Sequence, residues 1–196
     1  MFGSSSGAVL ALEAASRLGH KVRGLYLYEP PFIVDGRHPP MPADFAEQVR
    51  GLVESGQRSQ AVRLFFTKGM GIPGVFVTLM RFLMPGWGKM AAMAHTLPYD
   101  LAVLAGTQSG QPLPARRWSA LQAPVTVGVG GKSEAFFHTG AQALAALLPN
   151  VQYRSLAGRD HSAVMMAPQA LAAALAEAFG AAPGAARGEA PLARPQ

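Results

Sequence analysis

Residues 1–15 read MFGSSSGAVLALEAA, in which the turn Gly3-Ser4-Ser5-Ser6-Gly7 runs straight into a helical pattern rich in alanine and leucine. Gly3-x-Ser5-x-Gly7 is the spacing that lifts a serine hydroxyl above the end of a sheet at the start of a helix. Small flanking residues are needed there because strand and helix backbones approach closely and the turn is strained. In that geometry Ser5 is the candidate nucleophile. The backbone N–H of Ser6, at a helix N-terminus, is the candidate oxyanion donor. A Gly/Ser turn alone also reads as a flexible linker or a phosphate-cradling loop, so the chemistry has to be sought in a partner elsewhere in the chain.

A serine hydroxyl becomes a useful nucleophile once a base takes its proton. The fitting base is a histidine on a loop after a late strand, and His161 occupies such a place in LAGRDHSAV, residues 156–164. Ser5 and His161 are therefore expected at the same, C-terminal end of a sheet. His20, His38, His95 and His138 read as surface or capping residues.

Composition bounds the alternatives. The chain has 196 residues, 49% hydrophobic, enough for one domain with a sizeable core. Its 17 Lys and Arg exceed 11 Asp and Glu, a net charge of +6, but they are scattered, without the aromatic interleaving that tracks a nucleic-acid backbone. Cysteine is absent, which excludes disulfides and thiolate metal sites. Apolar stretches are interrupted well before the ~20 residues of a membrane span, and no basic residue precedes the first apolar segment as in a signal peptide. The reading is of a cytoplasmic protein without metal, nucleic-acid or membrane partner.

Helix, strand and turn signals then order the chain. AVLALEAASRL (8–18) is helical and stopped by Gly19, and VRGLYLYEPP (22–31) is a strand stopped by two prolines. From 43 to 97 the apolar spacing is helical and methionine-rich, as in a gap-filled core or a lid over an apolar pocket. Strands return at VTVGV (125–129) and VQYRS (151–155), each followed by a helical pattern, which argues for a parallel α/β sheet. Residues 181–196, rich in Ala, Gly, Pro and Arg, read as a disordered tail.

Taken in order, FGSSSGAVLALEAA (2–15), LYLYEPPF (25–32), LPYDLAVL (97–104), PLPARRW (112–118), APVTVGVGGKS (123–133) and LPNVQYRSLAGRDH (148–161) resemble small bacterial-type α/β-fold hydrolases with a helical cap. The resemblance implies a mostly parallel sheet flanked by helices, with residues 1–35 and 96–180 as core and 36–95 as a helical cap insertion. It also implies Ser5 as nucleophile, His161 as base and no cofactor, in the family's chain order of serine first and histidine last. Ser4 stands where the family commonly has histidine. Such a fold carries several strands before its nucleophile turn, whereas only Met1 and Phe2 precede Gly3. The chain is thus expected to be a partial α/β-hydrolase fold, with an unpaired sheet edge open to self-association.

The triad's acid must hold the imidazole tautomer and stabilise the imidazolium. The loop after VTVGVGG, where the family often has Asp, reads Lys132-Ser133-Glu134, which makes Glu134 the first choice. Glu29, at the end of the strand after the first helix, is the alternative, and Asp100 and Asp160 are weaker. Two functions remain: a serine-dependent hydrolase of an ester-like or related small apolar substrate, or a catalytically inactive, hydrolase-like binding protein on the same scaffold.

Overall fold

The computed structural model describes residues 1–180; the tail read as disordered lies outside the described residues. Four parallel strands lie side by side in chain order: β1 (Phe2–Ser4), β2 (Leu25–Tyr28), β3 (Val125–Gly130) and β4 (Val151–Leu156). Three strands were expected, and the fourth is β1. Three residues suffice for it because the ladder is supplied from β2: Phe2, Gly3 and Ser4 register with Tyr26, Leu27 and Tyr28, and Tyr26 N–H donates to Met1 O at 2.9 Å.

Period-2 alternation distributes β2 between two apolar layers. Leu25 and Leu27 join the main core, with Ala8, Val9 and Leu12 of α1 (Ser6–Leu18) and Phe137, Ala141 and Leu144 of α7 (Ala135–Leu147). Tyr26 and Tyr28 face the other way, onto Ala163 of α8 (Ala163–Met166) and Leu171 of α9 (Pro168–Ala178). Leu12, Leu27, Val127 and Leu144 are all completely buried, a burial that stabilises by roughly 1.5–3 kcal/mol per side chain. α1 is pinned further where Arg117 Nε and Trp118 Nε1 donate to Glu13 Oε1 at 2.5 and 2.8 Å.

Between β2 and β3 the chain is helical: α2 (Phe45–Glu54), α3 (Arg58–Leu64) continued by a π-helical turn (Phe65–Gly69), α4 (Gly74–Leu83), α5 (Trp87–Met93) and α6 (Leu97–Leu104). Two small cores hold this layer, one around Phe45, Val49, Ala61 and Leu101 and one around Val62, Val77, Trp87 and Ala94. The outgoing and returning stems are tied to each other. Ile33 N–H donates to Thr107 O, Gly110 N–H to Ile33 O, and Met41 N–H to Gln108 O, all at 2.9 Å. α6 joins the two layers, since Leu101 packs in the insertion and Leu104 in the main core.

Candidate active site

Each strand hands a candidate group to the C-terminal end of the sheet, where open parallel sheets place their ligand sites. β1 ends into Ser5, which has φ 54° and ψ −128°, a left-handed conformation that is strained for a residue with a side chain. The strain is held from both sides. Ser5 N–H donates to Tyr28 O and its carbonyl accepts from Ala8 N–H, each at 2.9 Å. Gly3 is required beneath it, because a Cβ there would lie 2.1 Å from the carbonyl oxygen of Gly7. The turn therefore has the backbone needed to present a serine at a helix start. Ser6 N–H, on the first turn of α1, meets no acceptor among the described residues.

β2 ends into Glu29, the second residue with a side chain and a positive φ, 49°. Its N–H continues the ladder to Gly128 O at 3.0 Å while its side chain is completely buried. Oε1 accepts from Gly130 N–H at 2.6 Å and from Ser133 Oγ at 2.5 Å, and Oε2 lies 2.7 Å from His161 Nδ1. Burial by itself pushes this carboxyl up. The hydrogen bonds from His161, Ser133 and Gly130 outweigh that and hold it below the ordinary carboxylate value.

His161 lies five residues beyond β4, on a loop seated against the end of β3. Lys132 N–H donates to Arg159 O at 2.8 Å, and a Cβ on Gly130 would lie 2.4 Å from that same oxygen. Gly130 thus lets the histidine loop descend while its N–H reaches Glu29. The imidazole stacks on Phe137, with centroids 4.9 Å apart at 18°, and Tyr28 OH donates to Asp160 O at 2.7 Å. Burial, followed by the nearby Glu29 and Asp160 charges, holds the Tyr28 phenol well above its ordinary value, so it stays a neutral donor.

Of the acids weighed from sequence, Glu29 is the one bonded to the imidazole. Glu134 precedes α7 and borders a cavity of ≈ 280 Å³ with Asp35, Arg37 and His38. It makes no hydrogen bond to His161 among the described residues, because the β3 loop turns Ser133, and not Glu134, back onto Glu29. Asp160 is occupied by Ser162, accepting from its N–H at 2.9 Å and its Oγ at 2.6 Å. Asp100 of α6 accepts from Ser6 Oγ at 2.9 Å, which ties the residue after Ser5 to the insertion. Ser5 Oγ and the imidazole share no hydrogen bond in this structure, and the contact that fixes His161 is the one on its opposite nitrogen. Ser133, the Gly130 N–H and Phe137 carried no sequence signal as site residues, and Asp100, weighed there as a weaker acid, bonds Ser6 and not the imidazole. GGKS after a strand marks only a turn.

Among the remaining histidines, His38 stacks on Phe136, His138 Nδ1 is 2.7 Å from Tyr153 OH, and His95 Nδ1 is 2.9 Å from Ala92 O. No group of three or more His, Asp or Glu suited to a metal ion occurs among the described residues. A cavity of ≈ 1010 Å³ opens at the other end of the sheet, by Met1, Gly24, Pro124, Asn150 and Phe179. It lies at the starts of β2, β3 and β4, away from Ser5, Glu29 and His161, so the side chains and not this cavity locate the site.

No protein-family model matches the chain, and no curated protein matches it in sequence. Solved structures do. An α/β hydrolase from Sphaerobacter thermophilus DSM 20745 is 40% identical with a TM-score of 0.76, over 91% of this chain and 66% of that one. An α/β hydrolase enzyme from a Medee basin deep-sea metagenome library matches at 12% identity and TM-score 0.53, over 91% of this chain and 64% of its own. The N-formylmaleamic acid deformylase of Pseudomonas putida S16 matches at 18% identity and TM-score 0.51, over 89% and 64%. The last two show the shared fold alone, and this chain spans less than two thirds of the length of each of the three.

Proposed function

The chain belongs to the α/β hydrolase superfamily, and on that premise we propose that it is a serine-dependent hydrolase whose triad is Ser5, His161 and Glu29. The observation that carries this reading is the buried Glu29 carboxylate bonded to His161 Nδ1, beside a serine held at φ 54° on a strand-to-helix turn. A carboxylate on Nδ1 keeps the proton there and leaves the lone pair on Nε2, the tautomer a general base requires.

The chemistry follows from those positions. Ser5 Oγ adds to a substrate carbonyl carbon as His161 Nε2 takes its proton. The developing oxyanion is met by Ser6 N–H, aided by the positive end of α1. The imidazolium, stabilised by Glu29, then protonates the leaving group. The acyl-serine is released by water, which His161 deprotonates in turn. The substrate is an ester-like or related small acyl compound with an apolar group, in keeping with the apolar helical layer between β2 and β3. No metal or cofactor enters any step.

The test is active-site labelling with a fluorophosphonate, read by peptide mass spectrometry, alongside turnover of a p-nitrophenyl ester. An adduct on Ser5, lost in Ser5→Ala together with turnover, is the expected result. Labelling elsewhere, or ester turnover that survives Ser5→Ala, would overturn the assignment, and neither labelling nor turnover in the parent would leave a binding protein on a hydrolase scaffold.

A further inference from the structure

α4 carries two opposed apolar faces. Val77 is completely buried in the small core with Val62, Trp87 and Ala94. Val75, Phe76, Leu79, Phe82 and Leu83 follow the i, i+1, i+4, i+7, i+8 spacing that makes one contiguous stripe, turned away from Val77. These five are 72%, 58%, 53%, 77% and 69% exposed. α4 packs on α3, α5 and the π-helical turn. Single exposed apolar residues are ordinary on a protein surface, whereas five on one helical face mark a contact surface.

Charge identifies what the stripe fits. From Ser55 to Tyr99 the sequence has Arg58, Arg63, Lys68, Arg81 and Lys89 and no Asp or Glu. All five cations are exposed, and none is paired with a carboxylate among the described residues. Arg81 lies over Phe82, 5.9 Å from its ring centroid. Arg63 reaches the first residue of α4, where a Cβ on Gly74 would lie 3.5 Å from its guanidinium, and Lys68 sits on the turn that packs against the helix. A second copy docked two-fold through this face would bring like charges together with no carboxylate to offset them. An anionic lipid surface is complementary in both respects. Its acyl boundary accepts the apolar stripe, and its phosphates attract Arg81 beside Phe82 and the other unpaired cations of the same layer.

We infer that α4 docks this protein, in the plane of the interface, onto an anionic lipid bilayer. No helix among the described residues is long and apolar enough to cross a membrane. The expectation of no membrane partner rested on span length, which a helix lying in the interface does not need. The inference is independent of the Ser5 reading.

The test is flotation of the full chain with vesicles of phosphatidylcholine mixed with phosphatidylglycerol, and of phosphatidylcholine alone. The protein is expected to float with the mixed vesicles, less with phosphatidylcholine, and less as salt is raised. Phe82→Ser/Leu83→Ser, both in solvent, should bind at least ~10-fold more weakly, and Arg81→Gln about fivefold more weakly, with thermal unfolding unchanged. Ser5→Ala should float as the parent does, which separates this inference from the catalytic one. Failure to float with the mixed vesicles at low salt, or flotation undiminished in both α4 variants, would overturn it. So would a dimer in light scattering that the double variant abolishes, which would assign the stripe to a second copy.

Discussion

Glu29→Gln turns one oxygen of a completely buried carboxylate into an amide nitrogen, and the structure dictates the consequence. Oε1 is held by Gly130 N–H and Ser133 Oγ, both donors, so the glutamine oxygen stays there and its NH2 takes the place of Oε2. That group, 2.7 Å from His161 Nδ1, can only donate. Nδ1 must then accept, which moves the imidazole proton to Nε2, where it blocks general-base action toward Ser5. The same exchange in another Ser-His-acid triad lowers turnover by ~10⁴, and a loss of about 10³–10⁴ in kcat for a p-nitrophenyl ester is expected here. The fold should suffer far less. Loss of charge-assisted bonds is partly offset by relief from burying a charge, leaving a deficit of about 1–2 kcal/mol, or roughly 2–8 °C in Tm. Steady-state kinetics with thermal unfolding of parent, Glu29→Gln and Glu134→Gln decides the matter. Activity of Glu29→Gln within tenfold of the parent, with the large loss in Glu134→Gln instead, would refute this reasoning and return the acid role to Glu134.

Ser5→Gly relieves the positive φ of 54°. It should raise stability by about 1 kcal/mol, seen as a higher Tm, while abolishing turnover; a fall in Tm would show that the turn is unstrained. Gly3→Ala places a Cβ 2.1 Å from a backbone oxygen of α1, so β1 and α1 must separate, at a cost of at least about 3 kcal/mol in denaturant unfolding. The acid limb of stability follows from Glu29. Its folded value lies below the ordinary 4.5, so its contribution is complete above that value and is lost as pH falls through the lower folded one. Unfolding free energies measured downward from about pH 5 should therefore converge for parent and Glu29→Gln, and a gap that widens toward acid would contradict the depressed value.

Local chemistry made much of this protein readable in one dimension. Gly3-x-Ser5-x-Gly7 identifies a serine turn because only small residues let strand and helix approach, and His161 stands out as a histidine on a loop after a late strand. Helical and strand periods gave the parallel α/β order, since apolar spacing follows backbone geometry. β1 was not readable, because three residues make a strand only when a neighbour supplies the ladder. The acid was open for a related reason. Glu29 and Glu134 both follow strands, and only the seating of the histidine loop on Gly130, with Ser133 turned inward, brings one carboxylate to Nδ1. The exposed face of α4 was likewise hidden: the sequence spreads apolar residues over more than half of that helix's circumference, and which of them meet solvent depends on the neighbours that cover Val77 and leave Phe82 bare.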